Sequence, residues 1–277
     1  MLVRLVGEYR RAMDLSLVLD AENIPHELRR EDDERWMLVV DDADAARAEQ
    51  ALSAFERENP RGETPAALPQ PWTFGVPAGL TFFLALLALH VWTGPESLDS
   101  AWFQRGSAEA SAILRGQWWR ALTALTLHAD AGHAAGNALL GGLFLALLAR
   151  GLGSGVASLV MLLAGALGTL TTAALLRHDF ASIGASTAVF GALGALAALP
   201  QNRRKAWLPL AAAVALLGFL GTSKHADLAG HLCGFVAGVL LGALAALAPR
   251  VRNRAAQAAL ALLAAAAPVA AWVVAFR

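Results

Sequence analysis

The sequence predicts an all-α polytopic membrane protein of seven spans, preceded by a small α+β module. Three observations predict it. The 277-residue chain is 57% hydrophobic with a mean hydropathy of +0.50, too apolar for an ordinary soluble protein. Seven apolar runs, roughly 77–93, 132–149, 155–176, 185–199, 206–222, 227–248 and 255–276, follow one another after residue 76. The formal net charge of zero also conceals an asymmetry. Residues 1–76 carry 9 basic and 16 acidic side chains, whereas residues 77–277 carry 13 and 6. An acidic, soluble-looking segment is thus joined to a basic, membrane-embedded one.

Residues 1–59 read as the α+β module. Leu15, Val18 and Leu19 recur at helical spacing between Glu8 and Asn23, and two short strand-like runs follow, Ile24–Leu28 and Arg35–Val40. They flank an acidic turn, Glu31–Glu34. Asp41–Asp44 then caps a second helix, Ala45–Glu58, which ends before Pro60. The expected order is helix–strand–strand–helix. Nothing in it resembles a reaction site, and His26 reads as a surface histidine. Residues 60–76 contain Pro60, Pro65, Pro69 and Pro71 and form a stiff, extended linker. The opening Met1–Arg10 is interrupted early by charge, unlike a secretory signal peptide. The single Cys233 excludes an intrachain disulfide and a cysteine-rich zinc cluster.

The membrane-embedded segment is expected over residues 77–277. Between the first two runs lies a long connection, 94–131, with Trp102, Phe103, Trp118, Trp119 and Arg120. Such aromatic and arginine residues favour the headgroup region, so the connection is expected to lie in the interface. With the N-terminal module cytoplasmic, the inner loops hold Arg150, Arg203, Arg204, Lys205, Arg250, Arg252 and Arg254. The outer side holds Arg177, Lys224 and Arg277. The positive-inside rule agrees with that orientation.

Polar residues within membrane spans are costly and ask for an explanation. From Ser186 to the Arg203 cluster is about 25 Å of helix, short of a ~30 Å hydrocarbon core. Ser186 therefore starts its helix below the outer surface, after a Gly184 turn suited to presenting a hydroxyl. The bland alternative is a helix cap. His231 reaches a similar depth, since it lies about 28 Å of helix from Arg250. Gly230, Gly234, Gly238 and Gly242 make a small-residue face on that helix, and Gly191 and Gly194 offer it a partner surface. Close approach is what a Ser186–His231 hydrogen bond requires, and such a bond activates a serine. His133 and Asn137, one turn apart at the outer end of the second span, can supply donors to a developing oxyanion. Their alternative role is interhelical hydrogen bonding, and that of His128 is a loop-fixing contact. A metal site is disfavoured because no carboxylate or thiolate stands at compatible spacing.

Trp119-Arg120, His128-x4-His133-x3-Asn137, Gly184-x-Ser186-x3-Phe190-Gly191 and His231-x2-Gly234-x3-Gly238 follow in this order on these spans. The set resembles the rhomboid family of intramembrane serine proteases over about residues 77–250, and the resemblance implies a six-helix membrane core over 77–250 plus one C-terminal transmembrane helix over 251–277. That resemblance implies a Ser–His dyad with no acid, with Ser186 as nucleophile and His231 as general base and acid. It implies an oxyanion hole from the Ser186 backbone N–H with His133 and Asn137. Phe190 matches the aromatic position that packs on the catalytic histidine, His128 a structural position at the active-site rim, and Trp119-Arg120 a loop position that supports the fold. Two departures stand out. Thr187 replaces the usual glycine and is expected to crowd the oxyanion site; Gly230 replaces the usual alanine and is expected to be harmless.

The expected function is hydrolysis of membrane-spanning protein substrates near their outer end, in a bacterial inner membrane. No cofactor, metal or nucleic-acid partner is expected beside the substrate and the lipid bilayer. An inactive homologue that binds such helices, and a small transporter, are the alternatives. The transporter reading requires ionisable residues through the bilayer depth, and the mid-depth of every span after residue 132 is apolar or small.

Overall fold

The structure, a computed structural model, describes residues 2–6, 9–30, 36–59, 75–177, 181–199, 211, 215, 227–249, 251 and 253–277. The chain divides into two units, 1–69 and 70–277, each considered by itself. The expected linker falls almost wholly outside the described residues, as do the acidic turn 31–34, the basic loop 203–205 and nearly all of the apolar run 206–222.

The N-terminal unit runs β1 (Leu2–Val6), α1 (Tyr9–Ala21), β2 (His26–Arg30), β3 (Trp36–Val40) and α2 (Ala45–Glu58). Its antiparallel sheet has the order β1-β3-β2. Strand β1 is an addition to the expected order. Leu2-Val-Arg-Leu-Val6 is an apolar run in which the alternate residue Arg4 turns to α2 and pairs with Glu49 and Glu56. Leu15, Leu19, Ile24, Leu38, Val40, Ala48 and Leu52 form the core between sheet and helices. His26 is not a surface histidine. Strand β2 turns it toward α1, where its side chain is only 7% exposed, with Nε2 2.6 Å from Ser16 Oγ and Nδ1 3.0 Å from Ile24 O. Asp44 does occupy the N-cap of α2, but its side chain makes no capping bond there and pairs with Arg47.

The second unit is helical. Its long members are α3 (Val76–Thr93), α7 (Ala131–Leu152), α8 (Ser154–Leu176), α10 (Leu228–Leu247) and α11 (Arg254–Ala275), with the shorter α9 (Ser186–Ala198) among them. The five long helices are long and apolar enough to cross a membrane. Their exposed faces are apolar too. On α10, Leu232, Val236, Leu240 and Leu244 are exposed while Gly230, Gly234, Gly238 and Gly242 on the opposite side are buried. Leu139 and Leu143 on α7 are likewise exposed. A face of this kind is stable only against lipid, so the protein is an integral membrane protein.

The core sits around α9, whose residues 186–196 are all buried. Small residues make the close approach possible. A Cβ built on Gly238 would strike the Gly191 carbonyl oxygen, and one on Gly194 the Phe235 carbonyl oxygen. Backbone therefore meets backbone where α9 crosses α10.

The connection 94–130 is folded into short pieces: α4 (Ala101–Gly106), α5 (Ala110–Leu114) and α6 (Arg120–Thr123), with 3₁₀ turns at Glu96–Leu98 and Ala124–Thr126. Within it β4 (Ala108–Glu109) pairs with β5 (Ala181–Ser182), just ahead of α9. Arg120 is 7% exposed and holds the pieces together. It donates to Gln117 Oε1 at 2.6 Å, Ser107 O at 2.7 Å and Gln104 O at 2.9 Å.

The polar groups of the motifs that carry the resemblance all fall in the second unit, after residue 118. Deleting residues 1–70 is therefore expected to leave the second unit folded. Melting of the truncated protein in detergent checks this; loss of a cooperative transition contradicts it.

Candidate active site

Three helix starts converge on one polar cluster. Helix α7 is begun by Asp130, whose carboxylate accepts the His133 N–H at 2.8 Å, and α10 by Asp227, which accepts the Gly230 N–H at 2.7 Å. Helix α9 begins at Ser186 after a turn in which Gly184 has φ 116°, a conformation that glycine alone adopts without strain. Each start thus delivers its polar residue within the first turns: His133 and Asn137, His231, and Ser186.

Ser186 Oγ and His231 Nε2 lie 2.7 Å apart in a hydrogen bond. Both residues are nearly inaccessible, 8% and 5% exposed. Phe190, one turn along α9, stacks on the His231 ring with centroids 4.5 Å apart and planes 14° from parallel. That stack fixes the imidazole plane, so its Nε2 points at the hydroxyl. The helix crossing described above sets the distance between the two residues.

On the Gly184 side of Ser186 stand His133 and Asn137. A Cβ on Gly184 would lie 2.8 Å from His133 Nε2 and 3.4 Å from Asn137 Nδ2, so only glycine leaves this space open. Asn137 is 7% exposed and its buried Nδ2 has no hydrogen-bond partner in the structure. A buried donor left without an acceptor is costly, and an anion developing beside it would satisfy it. The first amides of a helix also lack intrahelical acceptors, which makes the Ser186 N–H a second donor of the same kind.

His128 is wholly buried and accepts the Ala185 N–H at Nε2, 3.3 Å away. It is therefore neutral, with its proton on Nδ1, and burial lowers its pKa to about 3. It ties the connection to the turn before Ser186 and packs edge-on against His133, centroids 5.2 Å apart. Trp119 is half-buried beside Trp118, and the bonds of Arg120 stay within the connection. Every site residue expected from the sequence is described; Ser186, His231, Phe190, Gly184, His133, Asn137 and His128 gather in one place, while Trp119 and Arg120 lie outside it. Among the described residues no group of acidic, histidine and cysteine side chains is arranged to hold a metal ion.

Sequence reasoning missed His90. It lies on α3 with its ring edge-on to His128, centroids 6.4 Å apart, and its buried Nδ1 has no hydrogen-bond partner. A lone histidine in an apolar run carries no spacing signal that pairs it with residue 128. The capping roles of Asp130 and Asp227 also went unread, although each stands three residues before the amide whose N–H it accepts, a spacing that marks a helix start.

Thr187 does not crowd the oxyanion side. Its methyl carbon lies where α8, α9 and α10 meet, 2.8 Å and 2.9 Å from where Cβ atoms on Gly168 and Gly234 would be. Gly230 is not a mere deletion of a methyl either, since a Cβ there would collide with the Asp227 carboxylate. Thr187→Gly is accordingly expected to open a void and loosen α9, costing roughly 1–3 kcal/mol without raising turnover. Melting and turnover in detergent check this; faster turnover at unchanged stability contradicts it.

Residues 115–248 match the family model of the Rhomboid domain. The chain is 30% identical over 234 residues to the rhomboid protease GluP of Bacillus subtilis (strain 168), an alignment covering 81% of this chain and 45% of that protein. It is 29% identical over 176 residues to YdcA of the same strain, covering 60% of this chain and 87% of that protein. The RHOMBOID-like protein 1 of Arabidopsis thaliana is 31% identical over 158 residues, covering 54% of this chain and 40% of the plant protein. The chain thus spans less than half the length of GluP. The matched segment contains each helix start that meets at Ser186, and over those residues the chain carries a domain of the rhomboid family.

Proposed function

We propose that the protein is an intramembrane serine endopeptidase that hydrolyses peptide bonds in or near transmembrane segments of membrane proteins. The observation that carries the proposal is the 2.7 Å bond between Ser186 Oγ and His231 Nε2 at the starts of two neighbouring membrane helices. As Oγ attacks a substrate carbonyl, His231 takes its proton. The carbonyl oxygen, now an anion, is received by the Ser186 N–H and the Asn137 and His133 side chains. His231 returns the proton to the leaving amine, and a water then attacks the acyl-enzyme with His231 again as base. Among the described residues no carboxylate is hydrogen-bonded to His231. Phe190 holds the imidazole plane in place of one.

The cell membrane of a bacterium is the proposed location, with the N-terminal module inside and the site opening outward. The distribution of arginine and lysine supports that orientation. A catalytically silent family member is the competing reading, but Thr187, the one departure in its favour, has its methyl at a helix junction.

The test is cleavage of a single-span substrate by the purified protein in liposomes, with the cut mapped by mass spectrometry. A fluorophosphonate-sensitive cut within or just outside the span is expected. Substrate binding without any cut, by folded protein over a panel of spans, would establish the silent reading instead.

A further inference from the structure

Helix α11, the addition to the six-helix core, is held at both ends. Near its start the Gln257 Oε1 accepts the Gly155 and Val156 N–H groups at 2.7 and 3.1 Å, and its Nε2 donates to Leu152 O at 2.9 Å. One side chain thus caps α8 and bonds to the end of α7. At the far end Trp272 reaches the connection. Its Nε1 donates to Thr126 Oγ1 at 3.0 Å, while that hydroxyl donates to Thr123 O at 2.7 Å.

The indole is seated by shape as well. A Cβ on Gly106 would fall against its ring, 2.9 Å from Cζ2 and Cζ3, so α4 leaves room for it. Trp102 meets the ring edge-on with centroids 4.9 Å apart. Arg105 closes the same corner. It donates to Ala275 O at 3.2 Å and lies over the Phe276 ring, 5.2 Å from its centroid.

What Trp272 grips is the stretch that fixes the turn before Ser186. Two hydrogen bonds run from residues 124–128 to that turn. Ala124 O accepts the Gly184 N–H at 2.9 Å, and His128 Nε2 accepts the Ala185 N–H at 3.3 Å. Thr126 lies between those two acceptors. Since its side chain is bonded on one side to Trp272 and on the other to Thr123, it sets where both acceptors sit.

We infer that Trp272 is a positioning residue for Ser186, acting through Thr126 and the two hydrogen bonds that hold the Gly184–Ala185 turn. Helix α11 thereby belongs to the catalytic unit and is more than an extra anchor. The inference rests on the reading of Ser186 as nucleophile, but its mechanical half can be measured without any catalysis.

The test uses the full chain in detergent with two conservative variants. Trp272→Phe keeps an aromatic ring and removes the N–H; Thr126→Val keeps the volume and removes the hydroxyl. Each is expected to lower kcat and the rate of fluorophosphonate labelling by roughly tenfold with KM unchanged, since a remote ~1 Å misplacement can cost about 100-fold. The double variant is expected to be no slower than either single one, because both break the same bond. Hydrogen exchange at the Gly184 and Ala185 amides is expected to accelerate in each, while the α7 and α8 interiors stay protected. Unchanged exchange and labelling in folded Trp272→Phe overturn the inference. So does a loss in Trp272→Phe that Thr126→Val fails to reproduce, since bulk packing then explains it. Should the unaltered protein never label at Ser186, the protease reading fails on its own. The exchange rates at residues 184–185 then still decide whether Trp272 holds the turn.

Discussion

Ser186→Ala and His231→Ala are each expected to reduce cleavage of a transmembrane substrate to background, a loss on the order of 10⁴-fold or more. A serine hydroxyl is a weak nucleophile until a base removes its proton, and the one base bonded to Ser186 Oγ is His231. The two losses are expected not to add, because either change disables the same step. Both variants should melt close to the unaltered protein. Removing Oγ or the imidazole deletes one buried hydrogen bond and, for His231, the stack on Phe190, while the glycine-mediated crossing of α9 and α10 remains. Asn137→Ala should cost less, about 10²–10³-fold in rate, because other donors to the anion stay in place. Turnover and melting measured on the same preparations check all three. Folded Ser186→Ala protein that cleaves normally would remove Ser186 from the chemistry.

The second large effect comes from a residue without a side chain. Gly238→Ala is expected to lower stability by roughly 1–3 kcal/mol and activity by about tenfold or more. The added methyl would meet the Gly191 carbonyl oxygen, its carbonyl carbon at 2.6 Å and its Cα at 2.8 Å. These are backbone atoms of the helix that carries Ser186, and no rotamer change can relieve the contact. The helices must separate, and the Ser186–His231 bond lengthens with them. Gly136→Ala is the control, as a Cβ there meets nothing within 4 Å and α7 gains from the change. Stability and cleavage of both variants, measured side by side, check the contrast. Equal behaviour of the two would mean that close packing of α9 on α10 does not set the dyad.

Why so much of this site was legible follows from the cost of polar groups in lipid. Against a background of alanine, leucine and glycine, Ser186, His231, His133 and Asn137 stand out because an apolar span has no structural use for them. The four-residue spacing of Gly230, Gly234, Gly238 and Gly242 likewise reads directly as a helix face. Helix lengths were legible for the same reason, and α3, α7, α8, α9, α10 and α11 all fall within a few residues of their apolar runs. The connection was not. Its short helices, the β4–β5 pairing and the hydrogen bonds that Ala124 and His128 accept from the Gly184–Ala185 turn depend on contacts between segments 57 to 74 residues apart, for which periodicity carries no signal. Strand β1 escaped because five residues of mixed apolar and basic character specify a strand only when β3 is there to pair with them. His26 and Thr187 were misjudged alike, for a residue's neighbours across an element are fixed by packing and not by its own type.

The most direct measurement is peptide mapping of the protein after reaction with a fluorophosphonate, with the His231→Ala variant treated in parallel. The account predicts one adduct, on Ser186 Oγ, formed by the native protein, nearly lost in His231→Ala and absent after heat denaturation. An adduct on another serine, or labelling of Ser186 that is indifferent to His231, would contradict it.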